Sequence, residues 1–167
     1  YKKWVKSLDS ENKILSLDQK EGALLFFKKG QCVICHSGPH FTDFDTKGAG
    51  VPQFGPGISG GDDKGQYHVF DQEDFLYKFR SSPLRNLKLT SPYMHNGAFK
   101  TLREVVVHYN DIRTSLNNFT LPAKEKLALF TDHNTDRFNA VDAPVRVPLM
   151  LTEKEIDQLT DFLENAL

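Results

Sequence analysis

The pentapeptide Cys32-Val33-Ile34-Cys35-His36 constrains this 167-residue chain more than any other feature, because it holds both of the chain's cysteines. Two thiols at that spacing admit four uses: a disulfide, a redox pair, half of a zinc site, or a tether for a cofactor. A zinc ribbon needs a second Cys-x-x-Cys or a spaced pair of histidines, and the sequence has no third cysteine. A thioredoxin-like pair sits beside a βαβ pattern, which this chain lacks. A histidine directly after the second cysteine completes the c-type haem attachment pattern. The chemistry explains the spacing. The thiols add across the porphyrin's two vinyl groups as thioethers, two residues span the gap, and the histidine is held beneath the iron as proximal ligand. The motif therefore assigns one covalent haem c to Cys32, Cys35 and His36. Such attachment occurs outside the cytoplasm, so a periplasmic protein is expected. Tyr1-Lys2-Lys3-Trp4 shows neither an initiator Met nor a signal peptide, so the export signal is expected to have belonged to a precursor.

Composition excludes several other classes. Twenty-one Lys+Arg against 22 Asp+Glu give a net charge of -1, without the basic surplus that nucleic-acid binding needs. No apolar run approaches the ~20 residues of a membrane span. The length suits a single domain over 1–167, and 13 Phe with 5 Tyr argue against disorder.

Helix signals are strong at three places. Ser16-Leu17-Asp18-Gln19, Thr101-Leu102-Arg103-Glu104 and Thr152-Glu153-Lys154-Glu155 are capping boxes. The first predicts a helix running to Gly30. The second opens a helix with Leu102, Val105, Val106 and Tyr109 at helical spacing, and the third one with Ile156, Leu159, Phe162 and Leu163 on one face. A further helix is expected over 124–130, a polar loop over 110–121, and no assigned element over 66–79. Most of the glycines fall between Gly38 and Gly65, with Pro39, Pro52 and Pro56. That density of breakers predicts a long irregular segment able to wrap a cofactor. The fold class is mainly α, a cytochrome c-like helical domain with long loops around one haem.

Beyond the haem motif, several segments recur in a recognisable order: Gly30 to Asp43, Gly-Val-Pro-Gln-Phe-Gly-Pro-Gly at 50–57, Phe79-Arg80-Ser81-Ser82-Pro83-Leu84-Arg85-Asn86, Leu89-Thr90-Ser91-Pro92-Tyr93-Met94-His95-Asn96-Gly97, and Thr101 to Val106. Together they resemble the C-terminal haem domain of bacterial di-haem cytochrome c peroxidases and their MauG-type relatives, from about residue 10 to the final helix. Two departures stand out. The family carries two haems on two domains, and this chain has one motif, with the N-terminal peroxide-reactive domain absent. In the Phe-Arg segment, Pro83 stands one place later than in the commonest form. The resemblance implies a division of labour in which this half handles electrons, so that its own iron does no peroxide chemistry.

The resemblance also suggests further site residues. In the classical peroxidases a Met fills the place of Tyr109. In MauG-type relatives a Tyr stands there and ligates iron, and Val106-Val107-His108-Tyr109-Asn110 looks like that variant. Met94, or an open or His-filled position, is the alternative to Tyr109 as sixth ligand. A tyrosinate would favour ferric iron and a thioether ferrous, since the axial ligand tunes the potential. Either residue could instead be core packing. His95 matches a histidine beside the haem, a partner for a propionate or water, or else a loop histidine. Arg80 and Arg85 are candidates for propionate or interdomain contacts, guanidinium forks pairing well with carboxylates, or for surface salt bridges. The family's interdomain calcium would take the backbone carbonyls of Thr90 and Pro92 and complete its shell from the other domain. Asp62 and Asp63 are expected in a solvated loop, with a separate metal site as the alternative. His108 lies about 100° around its helix from Tyr109 and is expected at the surface, as are His40, His68 and His133.

Three functions follow. One is an electron-transfer domain that partners an N-terminal peroxidatic haem domain and a small redox protein or protein substrate as donor. Another is an autonomous mono-haem carrier. The third is a mono-haem peroxide or ligand sensor, which needs an open sixth position.

Overall fold

A computed structural model describes residues 15–58, 61–121 and 127–167. The Tyr1–Trp4 stretch and the start of the family match lie outside these residues. All three capping boxes form. Helix α1 (Leu17–Phe27) starts at Ser16, whose hydroxyl accepts from the Gln19 N–H while the Gln19 side chain bonds back to the Ser16 N–H. Thr101 with Glu104 and Thr152 with Glu155 do the same for α3 (Leu102–Asn110) and α7 (Glu153–Asn165). Helix α1 stops three residues before Gly30. There the Lys28 N–H caps the Leu24 and Leu25 carbonyls, and the Gly30 N–H returns to Leu25.

Helices α1 and α7 form the most extensive helix pair, and α3 packs across α7. Phe26 of α1 meets Phe162 of α7 edge-on at 5.7 Å and Phe41 at 5.8 Å. The same core takes Leu102 and Val106 from α3, with Ile156, Leu159 and Leu163 from α7. The faces expected of α3 and α7 are thus the buried ones. Gly22 sits where α1 crosses α7, and a Cβ there would lie 2.1 Å from the Gln158 carbonyl. Only a residue without a side chain permits that approach.

The long connections are more structured than the sequence suggests. Strand β1 (Thr46–Gly48) pairs antiparallel with β3 (Lys78–Arg80), Thr46 opposite Arg80. Strand β2 (Gln53–Phe54) pairs with β4 (Leu129–Phe130), Gln53 opposite Phe130. The expected helix over 124–130 is therefore corrected at its end, where 129–130 form a strand edge, and 124–126 lie outside the described residues. Residues 66–79 hold a one-turn helix, α2 (Tyr67–Phe70), and a 3-10 turn at Glu73–Phe75. The polar loop expected over 110–121 is also corrected: α4 (Ile112–Asn118) forms there. Its cap is Asp111, which accepts from the Thr114 N–H at 3.0 Å. Ile112 and Leu116, four residues apart, are both buried against Val141. Two short helices, α5 (Asn134–Asn139) and α6 (Ala143–Arg146), lead back to α7.

Candidate haem site

The haem motif is wound into a tight turn after α1. Gln31 adopts a left-handed conformation (φ 55°), and a 3-10 turn follows at Cys32–Ile34. The Cys35 and His36 N–H groups both donate to the Cys32 carbonyl, at 3.3 and 2.9 Å. This winding carries His36 back over Cys32. No disulfide joins Cys32 and Cys35. Burial pushes the Cys32 thiol up to about 12 and raises the Cys35 thiol as well.

The His36 ring is held by a backbone carbonyl. Its Nδ1 lies 3.0 Å from the Phe41 carbonyl, which can only accept, so Nδ1 carries the proton and Nε2 keeps a lone pair. Carbonyl anchoring of this kind orients metal-ligating histidines. Burial lowers the pKa of His36, partly opposed by the Phe41 bond, and so favours the neutral imidazole that ligates metals.

Cys32 and His36 border a cavity of about 490 Å³, within the ~300–1,000 Å³ of small-molecule and cofactor sites. Its apolar walls come from distant parts of the chain, among them Leu84, Leu102, Val106, Leu149 and Leu159. Tyr109, Met94, His95, Arg80, Arg85, Thr90 and Pro92 border it too. Every proposed site residue except Cys35 therefore lines this one cavity. Cys35 is half-buried and close enough to Tyr109 to act on it electrostatically.

The two alternatives for the sixth ligand are both brought to the cavity. Tyr109 projects from α3, and its phenol pKa is raised, by burial first and by the two cysteines second. Met94 is half-buried, on a loop position with φ 70°. Arg80 and Arg85 each cover an aromatic ring, Phe44 at 5.0 Å and Phe41 at 4.9 Å. Lys47, which the motifs do not single out, joins them at the cavity while paired with Asp43 at 3.1 Å and Asp45 at 2.8 Å. His95 is exposed overall, yet its ring stacks on Phe79 at 3.6 Å and 10°. Desolvation lowers its pKa to about 4. The chemistry of the set fits a haem c: a wound Cys-x-x-Cys-His, a histidine anchored through Nδ1, apolar walls, and cations for two propionates.

Two expectations about charged groups are corrected. His108 is fully buried, because the Gly-rich segment covers the side of α3 that it faces. Its Nε2 meets the Ala49 carbonyl at 2.8 Å and its Nδ1 the Ser115 hydroxyl at 2.9 Å. It does not line the cavity, in keeping with the angle between it and Tyr109. Asp62 is likewise not solvated. Its side chain is 4% exposed and accepts from Arg137 at 2.7 Å and from the Tyr77 hydroxyl at 2.8 Å. His40, His68 and His133 are exposed, as expected.

The sequence reading missed residues that shape the cavity from afar. Asn110 accepts from the Leu151 N–H at 2.8 Å and donates to the Leu151 carbonyl at 3.2 Å. Its own carbonyl accepts from the Leu149 N–H at 2.9 Å. These bonds hold two apolar residues in the wall, and their only signal is the Asn after Tyr109. For calcium, Thr90 and Pro92 are exposed at the cavity's edge. Among the described residues no group of three or more His, Cys, Asp or Glu is arranged to hold a metal ion.

The chain is 33% identical over 141 residues to the cytochrome-c peroxidase IdrP2 of Pseudomonas sp. strain SCT, which covers 69% of this chain and 38% of that protein. It is 30% identical over 174 residues to the cytochrome-c peroxidase IdrP1 of Denitromonas iodatirespirans, covering 90% of this chain and 40% of that one. This chain is a relative of the cytochrome c peroxidase and MauG family. Its fold matches the crystal structure of a MauG-like protein associated with microbial copper homeostasis, with a TM-score of 0.70 at 23% identity over 97% of this chain and 50% of that one. No family model matches the chain. The chain spans less than half the length of these peroxidase relatives. No helix among the described residues is long and apolar enough to cross a membrane.

Proposed function

We propose that this chain is a periplasmic c-type haem domain, the C-terminal electron-transferring half of a di-haem peroxidase or MauG-like protein. The observation that carries this reading is the shared cavity, bordered by Cys32 and His36 of the haem motif, Tyr109 and the arginines of the Phe-Arg segment. In it, Cys32 and Cys35 would tether one haem c, His36 Nε2 would ligate its iron, and Tyr109 would take the other face in preference to Met94. A haem so held supplies one-electron chemistry.

The protein's own contribution is to fix the His36 ring through Phe41, to exclude water with the leucines and valines of α3 and α7, and to offset propionate charge with Arg80 and Arg85. The proposed partners are an N-terminal peroxidatic domain, on the same or another chain, and a small redox protein or protein substrate as electron donor. Thr90 and Pro92, at the cavity's edge, are proposed to give carbonyls to a calcium ion whose shell the partner domain completes, in line with the oxygen ligation calcium prefers.

The test is expression in a host with export and haem-attachment machinery. Haem should stay on the denatured chain, the ferric spectrum should be low-spin, and the chain alone should not turn over peroxide. A high-spin ferric spectrum would favour the ligand-sensor reading, and peroxide turnover at enzymatic rates would overturn the electron-transfer assignment.

A further inference from the structure

Gln53 is a polar residue 2% exposed, and a buried amide is costly unless its groups are paired. Its Nε2 serves two neighbours. One is the Asp63 carbonyl at 3.3 Å and the other is His95 Nε2 at 3.2 Å. A backbone carbonyl can only accept, so the amide nitrogen, not its oxygen, faces Asp63. An amide nitrogen has two N–H bonds, and the second then points at His95 Nε2. That atom must offer its lone pair, which leaves the imidazole proton on Nδ1.

The surroundings hold all three members in place. Asn96, next to His95, donates to the carbonyl of Pro52, next to Gln53, at 2.7 Å. Asp63 accepts from the Gly65 N–H at 2.8 Å, and its neighbour Asp62 is locked to buried Arg137. On its other side the His95 ring lies flat against Phe79. The ring can therefore neither rotate freely nor exchange its nitrogens without breaking these contacts. Among the described residues no hydrogen-bond partner faces His95 Nδ1, and His95 borders the cavity.

We propose that Gln53 is a positioning residue for His95. By occupying the Nε2 lone pair it makes His95 a fixed Nδ1–H donor toward a carboxylate of the cavity's occupant, a haem propionate. The choice of acceptor rests on the haem reading above, whereas the tautomer rests only on this chain's own contacts. Gln53 touches no reacting atom and acts through His95.

The test uses the haem-loaded chain reduced and bound with carbon monoxide, which makes ferrous haem low-spin and diamagnetic, with 15N-labelled histidine. Long-range proton–nitrogen correlation distinguishes an Nδ1–H from an Nε2–H imidazole. His95 is expected as Nδ1–H in the native chain. In Gln53→Glu, whose carboxylate can only accept, the expected form is Nε2–H, and Gln53→Leu should give a mixture. An Nε2–H native His95, or an unchanged Nδ1–H in both variants, would overturn the proposal. Far-UV circular dichroism confirms that the variants fold. His95→Gln should move the reduction potential, and Gln53→Leu should move it the same way by a smaller amount. A null effect of both would overturn the link to the cavity. Covalent haem is scored separately by its pyridine haemochrome, so loss of the haem reading would show there and leave the tautomer result standing.

Discussion

At the scale of the residue, the site depends on which protons sit where. Tyr109 and His108 are neighbours on α3 with opposite fates. Tyr109 borders the cavity, and His108 is buried under Ala49 with both ring nitrogens engaged. Burial keeps the Tyr109 phenol protonated, and only a local cation such as a metal would reverse that balance. Tyr109→Phe is therefore expected to shift the ferric absorption spectrum and raise the reduction potential, read by spectroscopy and potentiometry. An unchanged spectrum would remove Tyr109 from the coordination sphere and leave Met94, or an open or His-filled position. The buried Asp62–Arg137 pair makes a different point. Removing one member strands the other charge, a loss on the order of 3–5 kcal/mol. Asp62→Ala should cost that much in denaturant unfolding, since Arg137 is only 1% exposed and Tyr77 would also lose its acceptor.

At the scale of the element, the helices are set by their ends and by one close crossing. Each capping box satisfies two backbone donors that the first turn would otherwise leave open. All three helices so capped also form the main core, which places the haem motif immediately after α1 and Tyr109 on α3. Gly22 shows where propensity and packing conflict. In an exposed helix, Gly→Ala gains up to about 1 kcal/mol. In α1 the added methyl would strike the Gln158 carbonyl of α7, and overpacking of this kind costs about 1–3 kcal/mol. Gly22→Ala is accordingly expected to lower the melting temperature, and a raised one would contradict the crossing described here.

At the scale of the whole molecule, the core is built around the cavity. Leu102, Val106, Leu149, Leu151, Leu159 and Leu163 belong to the hydrophobic core and line the cavity as well. A cofactor that fills it would complete the core as well as the site. The double variant Cys32→Ser/Cys35→Ser should carry no covalent haem and unfold at lower temperature than the loaded chain, by calorimetry. Equal stability would mean that the cavity walls close without an occupant. The sequence alone determined the haem motif, the capped helices and the buried faces of α3 and α7, because those signals act over three or four residues along the chain. It also carried the family resemblance, through short motifs in a fixed order. Only the tertiary structure decided that His108 is buried, that Asp62 is paired, that Asp111 opens a helix, and that Gln53 reaches His95. The His108–Ala49, Asp62–Arg137 and Gln53–His95 contacts join residues 59, 75 and 42 positions apart. Such pairings follow from how the loops close over the helices, and no local pattern of residue types encodes that closure.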